Sequence, residues 1–184
     1  MAEWLVALLL GLPAPAYNEE PEAQAERFGT IAYAVERATE ADHVGWPWSP
    51  DELGTMVAVV SWYESGRYAP DVHSGKRKGD GGRSHCLAGI MNVGGTWNTG
   101  AEWKAAVGTT LEPTTMCMRL SARFMSRHAG RCFGRNPGKL DQWKAGVLFW
   151  SYGTGKGCTR KPPRWALNRA HTWSVLERRR AGRE

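Results

Sequence analysis

The sequence predicts a mainly α-helical domain, α+β in detail, with a small irregular β or loop lobe beside a cleft. Apolar residues recur three and four apart in several separate segments, the pattern of helices that bury one face. One stretch, 71–95, breaks that rhythm with glycine and charge and holds a single apolar island at Cys86–Val93. The chain of 184 residues suffices for one domain with a real core, and it carries no internal repeat, low-complexity tract or second domain.

At the N-terminus, residues 4–12 form an apolar run too short to span a bilayer. Two readings of residues 1–16 stay open. The run fits the apolar centre of a secretory signal, with Ala14-Pro15-Ala16 as a small-x-small cleavage site, although Glu3 stands where a basic residue is usual. It equally fits a segment retained for docking to another protein. Residues 17–184 form the domain proper. From Asn18 to about Ala41, the spacing of Phe28, Ile31, Ala32, Val35 and Ala38 predicts one amphipathic helix, and His43–Trp48 a turn.

Ser49-Pro50-Asp51-Glu52 is a helix start on three agreeing signals: Ser as N-cap, Pro at the first helical position and Glu at the capping-box position. Leu53, Met56, Val57 and Val60 follow at helical spacing, and the next step on that stripe is Glu64. A carboxylate there is costly unless it has a use or partners. Between Trp62-Tyr63 and Ser65-Gly66, burial beside aromatic rings predicts a raised pKa and a proton to donate near neutral pH. Glycoside-cleaving enzymes need such an acid to protonate the leaving oxygen. A lone glutamate at a helix end is more often simply solvated.

Beyond the polar stretch, which holds Asp71, His73, Asp80 and His85, two further helices are expected at Leu111–His128 and Leu140–Ser151. Asn136-Pro137-Gly138 turns between them, and a last amphipathic helix covers Trp165–Arg180. Ten tryptophans are an unusual number; packing accounts for most of them, and sugar-binding clefts also use such rings to stack on pyranose faces. The net charge of +6 calls for an anionic partner. The basic runs Lys76-Arg77-Lys78 and Arg178-Arg179-Arg180 lack the aromatic interleaving of nucleic-acid modules. A wall with anionic polymers satisfies the charge as well, and a solvated loop and basic tail are the commoner fate of such runs.

Cys86, Cys117, Cys132 and Cys158 allow two disulfides in three connectivities, which would imply an oxidising compartment. Their spacing is not that of a zinc site, and no metal or cofactor is called for. Antiparallel packing of the 111–128 and 140–151 helices would bring Cys117 towards Cys158.

The stretch Glu64-Ser65, followed by Ser84, Ala88 and Gly89-Ile90-Met91-Asn92, resembles the E-S…S-x-A-x-G-L-M-Q signature of soluble lytic transglycosylases and goose-type lysozymes. Trp150-Ser151-Tyr152-Gly153-Thr154-Gly155 resembles the same family's A-Y-N-x-G element. The chain departs from the pattern at Asn92, where Gln is usual, at Gly153, where Asn is usual, and in the longer interval after Glu64.

The resemblance implies a lysozyme-like fold and cleavage of the β-1,4 bond between N-acetylmuramic acid and N-acetylglucosamine in peptidoglycan glycan strands. Glu64 would protonate the bridging oxygen, and the sugar's own C6 hydroxyl would close a 1,6-anhydro end, giving its proton to the same carboxylate. Ser65, Ser84, Gly89, Met91 and Asn92 would contact substrate, and Tyr152 would set its hydroxyl near Glu64. A muramidase would instead use a second carboxylate, for which Asp71 and Asp80 are the candidates. A third reading is a non-catalytic wall-binding or phage structural part of the same fold. The setting implied is extracytoplasmic or virion-associated, with virion or secretion-machinery proteins as further partners and neither nucleic acid nor a membrane span.

Overall fold

The computed structural model describes residues 2–10, 17, 19–78, 84–91 and 100–182. It is mainly helical. In chain order the elements are α1 (Ala2–Leu10), α2 (Pro21–Asp42), α3 (Pro50–Glu64), α4 (Pro70–His73), β1 (Ser84–His85), β2 (Ile90–Met91), α5 (Gly100–Ala105), α6 (Leu111–Phe133), α7 (Gln142–Thr154) and α8 (Arg164–Arg180). The expected cleavage motif at 14–16 lies outside the described residues. None of the described helices is long and apolar enough to cross a membrane.

The element at the centre is α3. Its start follows from the sequence: the Ser49 hydroxyl accepts from the Glu52 amide at 3.2 Å, and the Glu52 carboxylate accepts from the Ser49 amide at 3.0 Å. Residues Leu53 through Trp62 are all buried, including Ala58 and Val59, which fall off the expected stripe. The helix is therefore enclosed on all sides rather than amphipathic, packing against α2, α6 and α8. Around it α2 packs on α6, α7 packs on α8, and α1 places Leu5 and Leu9 into the same core. The β lobe is a hairpin of two residues per strand, with Ser84 paired to Met91 and His85 to Ile90. The expected helix over 140–151 begins later, at Gln142, where the Asp141 side chain caps the Lys144 amide at 2.8 Å, and it runs on through Tyr152 and Gly153.

All four cysteines are paired, but Cys117 does not meet Cys158. The bonds are Cys86–Cys117, joining the hairpin turn to α6, and Cys132–Cys158, joining the end of α6 to the link between α7 and α8. The antiparallel premise fails because α7 packs chiefly on α8 rather than along α6. Gly155, at φ 64, then caps α7 in the left-handed conformation, and the Ser151 hydroxyl donates to the Lys156 carbonyl at 2.7 Å. Ser151 also meets His128 Nδ1 at 2.5 Å, so this turn delivers the chain to the last turns of α6, where Cys132 stands. In the unfolded, unreduced protein no thiol should titrate. Replacing Cys132 and Cys158 together by Ser should lower the unfolding free energy by about 3 kcal/mol, read from the denaturant midpoint.

Candidate active site

Glu64 is the last residue of α3, and the chain reverses beyond it. The Ser65 amide donates to the Ser61 carbonyl at 3.0 Å, and Gly66, Arg67 and Tyr68 take φ of 63, 65 and 59. Two non-glycine residues in the left-handed region cost energy that neighbours must over-determine. They do so here: the Arg67 amide donates to the Trp62 carbonyl at 2.6 Å, and Tyr68 is fully buried with its hydroxyl donating to the Ala58 carbonyl at 2.7 Å. Ser65, expected among the substrate contacts, is buried instead. Its hydroxyl donates to the Ser61 carbonyl at 2.5 Å and accepts from the Tyr68 amide at 2.7 Å, so it builds the turn that leaves Glu64 at the helix end.

The hairpin turn Cys86–Gly89 lies against that carboxylate. Gly89 has φ 63, and a Cβ placed on it would stand 3.1 Å from Glu64 Cβ and 3.2 Å from Oε2, closer than nine in ten real Cβ contacts. The conformation favours glycine, and a side chain would also have to push the Glu64 side chain aside. The Tyr152 hydroxyl, carried on α7, donates to the Ala88 carbonyl at 2.7 Å. Burial pushes this phenol's pKa up, and the Glu64 charge raises it further. Phe124 of α6 packs edge-on to the Tyr152 ring at 4.9 Å. Segments from α3, the hairpin and α7 thus converge on one carboxyl group.

The contributor that sequence reasoning missed is α8. Arg169 Nη1 donates to Glu64 Oε1, so the carboxylate is half of an ion pair rather than alone among rings. The Arg169 guanidinium lies 5.1 Å from the Tyr63 ring centroid and 4.9 Å from that of Trp165, over both rings. Tyr63 is fixed in turn by a 2.9 Å hydrogen bond between its hydroxyl and Thr172. The departure at Gly153 now has a physical reason: a side chain there would meet Trp165 Cη2 at 2.8 Å. The glycine lets Trp165 reach the site and flank Arg169. Trp165 and Arg169 lie four apart on one face of α8, a spacing visible in the sequence but meaningful only once α8 is placed beside α3.

The other expected residues are placed as follows. Ser84 and Met91 are ladder partners at the open end of the hairpin. Asn92 and Asp80 lie outside the described residues. Asp71 sits on α4, its carboxylate accepting from Arg77 Nε at 2.6 Å, and that contact holds its carboxyl below the usual carboxylate range. It lines a cavity of about 750 Å³ bounded by α2, α4 and the start of α6, and Glu64 is not among the residues of that cavity. The buried Ser151–His128 pair is no nucleophile: Ser151 is fully enclosed and donates its one proton to the Lys156 carbonyl. No cluster of metal-ligating side chains occurs among the described residues. No family model, curated protein or solved structure matches the chain.

Two expectations follow. Gly89→Ala should cost about 1–3 kcal/mol of stability, through strain and the Glu64 contact, measurable as a lowered melting temperature. His73, beside the 750 Å³ cavity, is buried with Nε2 on Thr114 at 2.9 Å, and burial lowers its pKa to about 4. The unfolded chain takes up this proton near the ordinary value of 6.5 and the folded protein only near 4, so stability is full above that upper value and falls as the pH drops between the two. The slope should reach about 1.4 kcal/mol per pH unit and be lost in His73→Asn, read from denaturant melts across that range.

Proposed function

We propose that this protein cleaves peptidoglycan glycan strands as a lytic transglycosylase, acting on the N-acetylmuramic acid–β-1,4–N-acetylglucosamine bond with Glu64 as acid and base. The observation that carries the reading is the packing of Gly89 against the Glu64 carboxyl, with Tyr152 bonded to the adjacent Ala88. Three elements that resemble one family's signature, far apart in sequence, meet at the one group that would do the chemistry. Exposed aromatic faces beside it, Trp165 at 38% and Tyr63 at 39%, suit a sugar ring, and the +6 charge suits an anionic wall. Two disulfides fit an oxidising, extracytoplasmic compartment.

The position of Asp71 favours the single-acid route over an inverting muramidase that would use Asp71 as its base. An inverting pair holds its two carboxyls about 6.5–9.5 Å apart across a water. Asp71 instead lines a cavity without Glu64 and is engaged by Arg77. In the proposed reaction the Glu64 proton passes to the bridging oxygen as the glycosidic bond breaks. The C6 hydroxyl of the muramic residue then bonds to its own C1 and returns its proton to the Glu64 carboxylate. No water is added.

Incubation of the purified protein with peptidoglycan should release muropeptides of the mass of 1,6-anhydro ends, about 18 Da below the hydrolysed products, the mass of the water a hydrolase adds. Glu64→Gln should keep the fold, checked by circular dichroism, and lower release at least about a hundredfold, as loss of a general acid does. Products carrying added water, with activity lost in either Asp71→Asn or Asp80→Asn, would make the protein a muramidase. Wall binding without release in the wild type would support the non-catalytic reading.

A further inference from the structure

Arg169 is held on three sides and still has hydrogen-bonding capacity. Nη1 donates to Glu64 Oε1, and the rings of Tyr63 and Trp165 cover the guanidinium. Nε and Nη2 have no hydrogen-bond acceptor among the described residues. The Arg169 and Glu64 side chains are 16% and 22% exposed, so the pair can be reached from solvent. A guanidinium is a planar fork matched to both oxygens of a carboxylate, and here a single nitrogen of that fork is engaged. The two ring contacts and the Glu64 bond restrict the side chain in advance, which reduces the ordering cost of a second partner.

Acid catalysis sharpens the point. Glu64 must carry a proton to act as an acid, and in that state it no longer offers Arg169 a negative charge. The partly buried guanidinium then lacks a counter-charge, a costly state unless another anion arrives. A carboxylate on the ligand would supply it. N-acetylmuramic acid free of its stem peptide carries one on its lactyl group; with the peptide attached that carboxyl is an amide, and a chitin-type glycan carries none.

We propose that Arg169 is the specificity-determining residue of the site for peptide-free stretches of glycan, exchanging the Glu64 carboxylate for the lactyl carboxylate of a bound muramic residue. The inference rests on the glycan-cleaving reading of Glu64, and its test separates the two. Calorimetric binding to the Glu64→Gln protein is measured with a tetrasaccharide of alternating N-acetylmuramic acid and N-acetylglucosamine, and with chitotetraose. The acidic tetrasaccharide should bind about tenfold more tightly than the neutral one. Raising salt from about 50 to about 500 mM should weaken the acidic ligand alone. Adding Arg169→Gln should abolish the preference while leaving chitotetraose within about twofold. Arg169→Lys, which keeps the charge but not the fork, should retain part of it. If Arg169→Gln fails to fold, the Lys variant and the salt dependence carry the test. An unchanged preference in the Arg169 variants, or no preference at the outset, would overturn the role of Arg169 and leave glycan binding standing. Binding of neither glycan would overturn both readings.

Discussion

The contact between Glu64 and Arg169 joins positions 105 residues apart and decides what the end of α3 can be. A helix enclosed from Leu53 to Trp62 can place a charge only where it leaves the core. Even there the Glu64 side chain has lost most of its water, and an unpaired carboxylate would carry that desolvation alone. The cation comes from α8, so α8 must pack on α3, and α7 must pack on α8 to hold it there. Tyr63 and Trp165 complete the arrangement, each with its ring about 5 Å from the guanidinium, which raises the strength of the pair by displacing water beside it.

Close approach at this site is bought with missing side chains. Gly89 allows the hairpin turn to lie on the Glu64 carboxyl, and Gly153 allows Trp165 to lie across α7. The two glycines do different work. Gly89 is favoured by its backbone conformation as well as by space, whereas Gly153 is an ordinary helical residue whose side chain would meet an aromatic ring. A resemblance written in letters scores Gly153 as a departure; the packing shows that Trp165 occupies the volume a side chain there would need.

What was legible in the sequence was local. The capping box at Ser49–Glu52, the helix periods of α2, α6 and α8, and the glycine of the turn all act through neighbours within a few residues. The stripe that singles out Glu64 in the sequence dissolves in a helix buried all round; the residue stands instead where that burial ends. Ser65 was misread because a serine after a carboxylate looks the same whether its hydroxyl faces a ligand or caps its own backbone. The disulfide pairing and Arg169 were illegible because both depend on the direction in which α7 and α8 pack. That direction is fixed by the Gly155 turn and the fit of the helices, not by any spacing of cysteines or charges.

The hairpin shows why oxidation bears on the site as well as on stability. Two residues per strand cannot hold a turn in place by ladder hydrogen bonds alone. Its position over Glu64 is supplied from outside: Cys86 is bonded to Cys117 of α6, the Ala88 amide donates to the Cys117 sulfur at 3.3 Å, and the Ala88 carbonyl accepts from Tyr152. The covalent bond and the phenol fix opposite sides of the same short turn, one from α6 and one from α7. Reduction would remove the covalent half and leave a strained turn, with Cys86 at φ 55 and Gly89 at φ 63, held by hydrogen bonds alone: from Tyr152, from the Ala88 amide to the Cys117 sulfur, and from the Gly89 amide to the Cys86 carbonyl. In a compartment that keeps thiols reduced, the carboxyl would persist at the end of α3 while the wall of its site came loose. The chemistry proposed for Glu64 and the compartment that the cysteines fit therefore depend on the same bond.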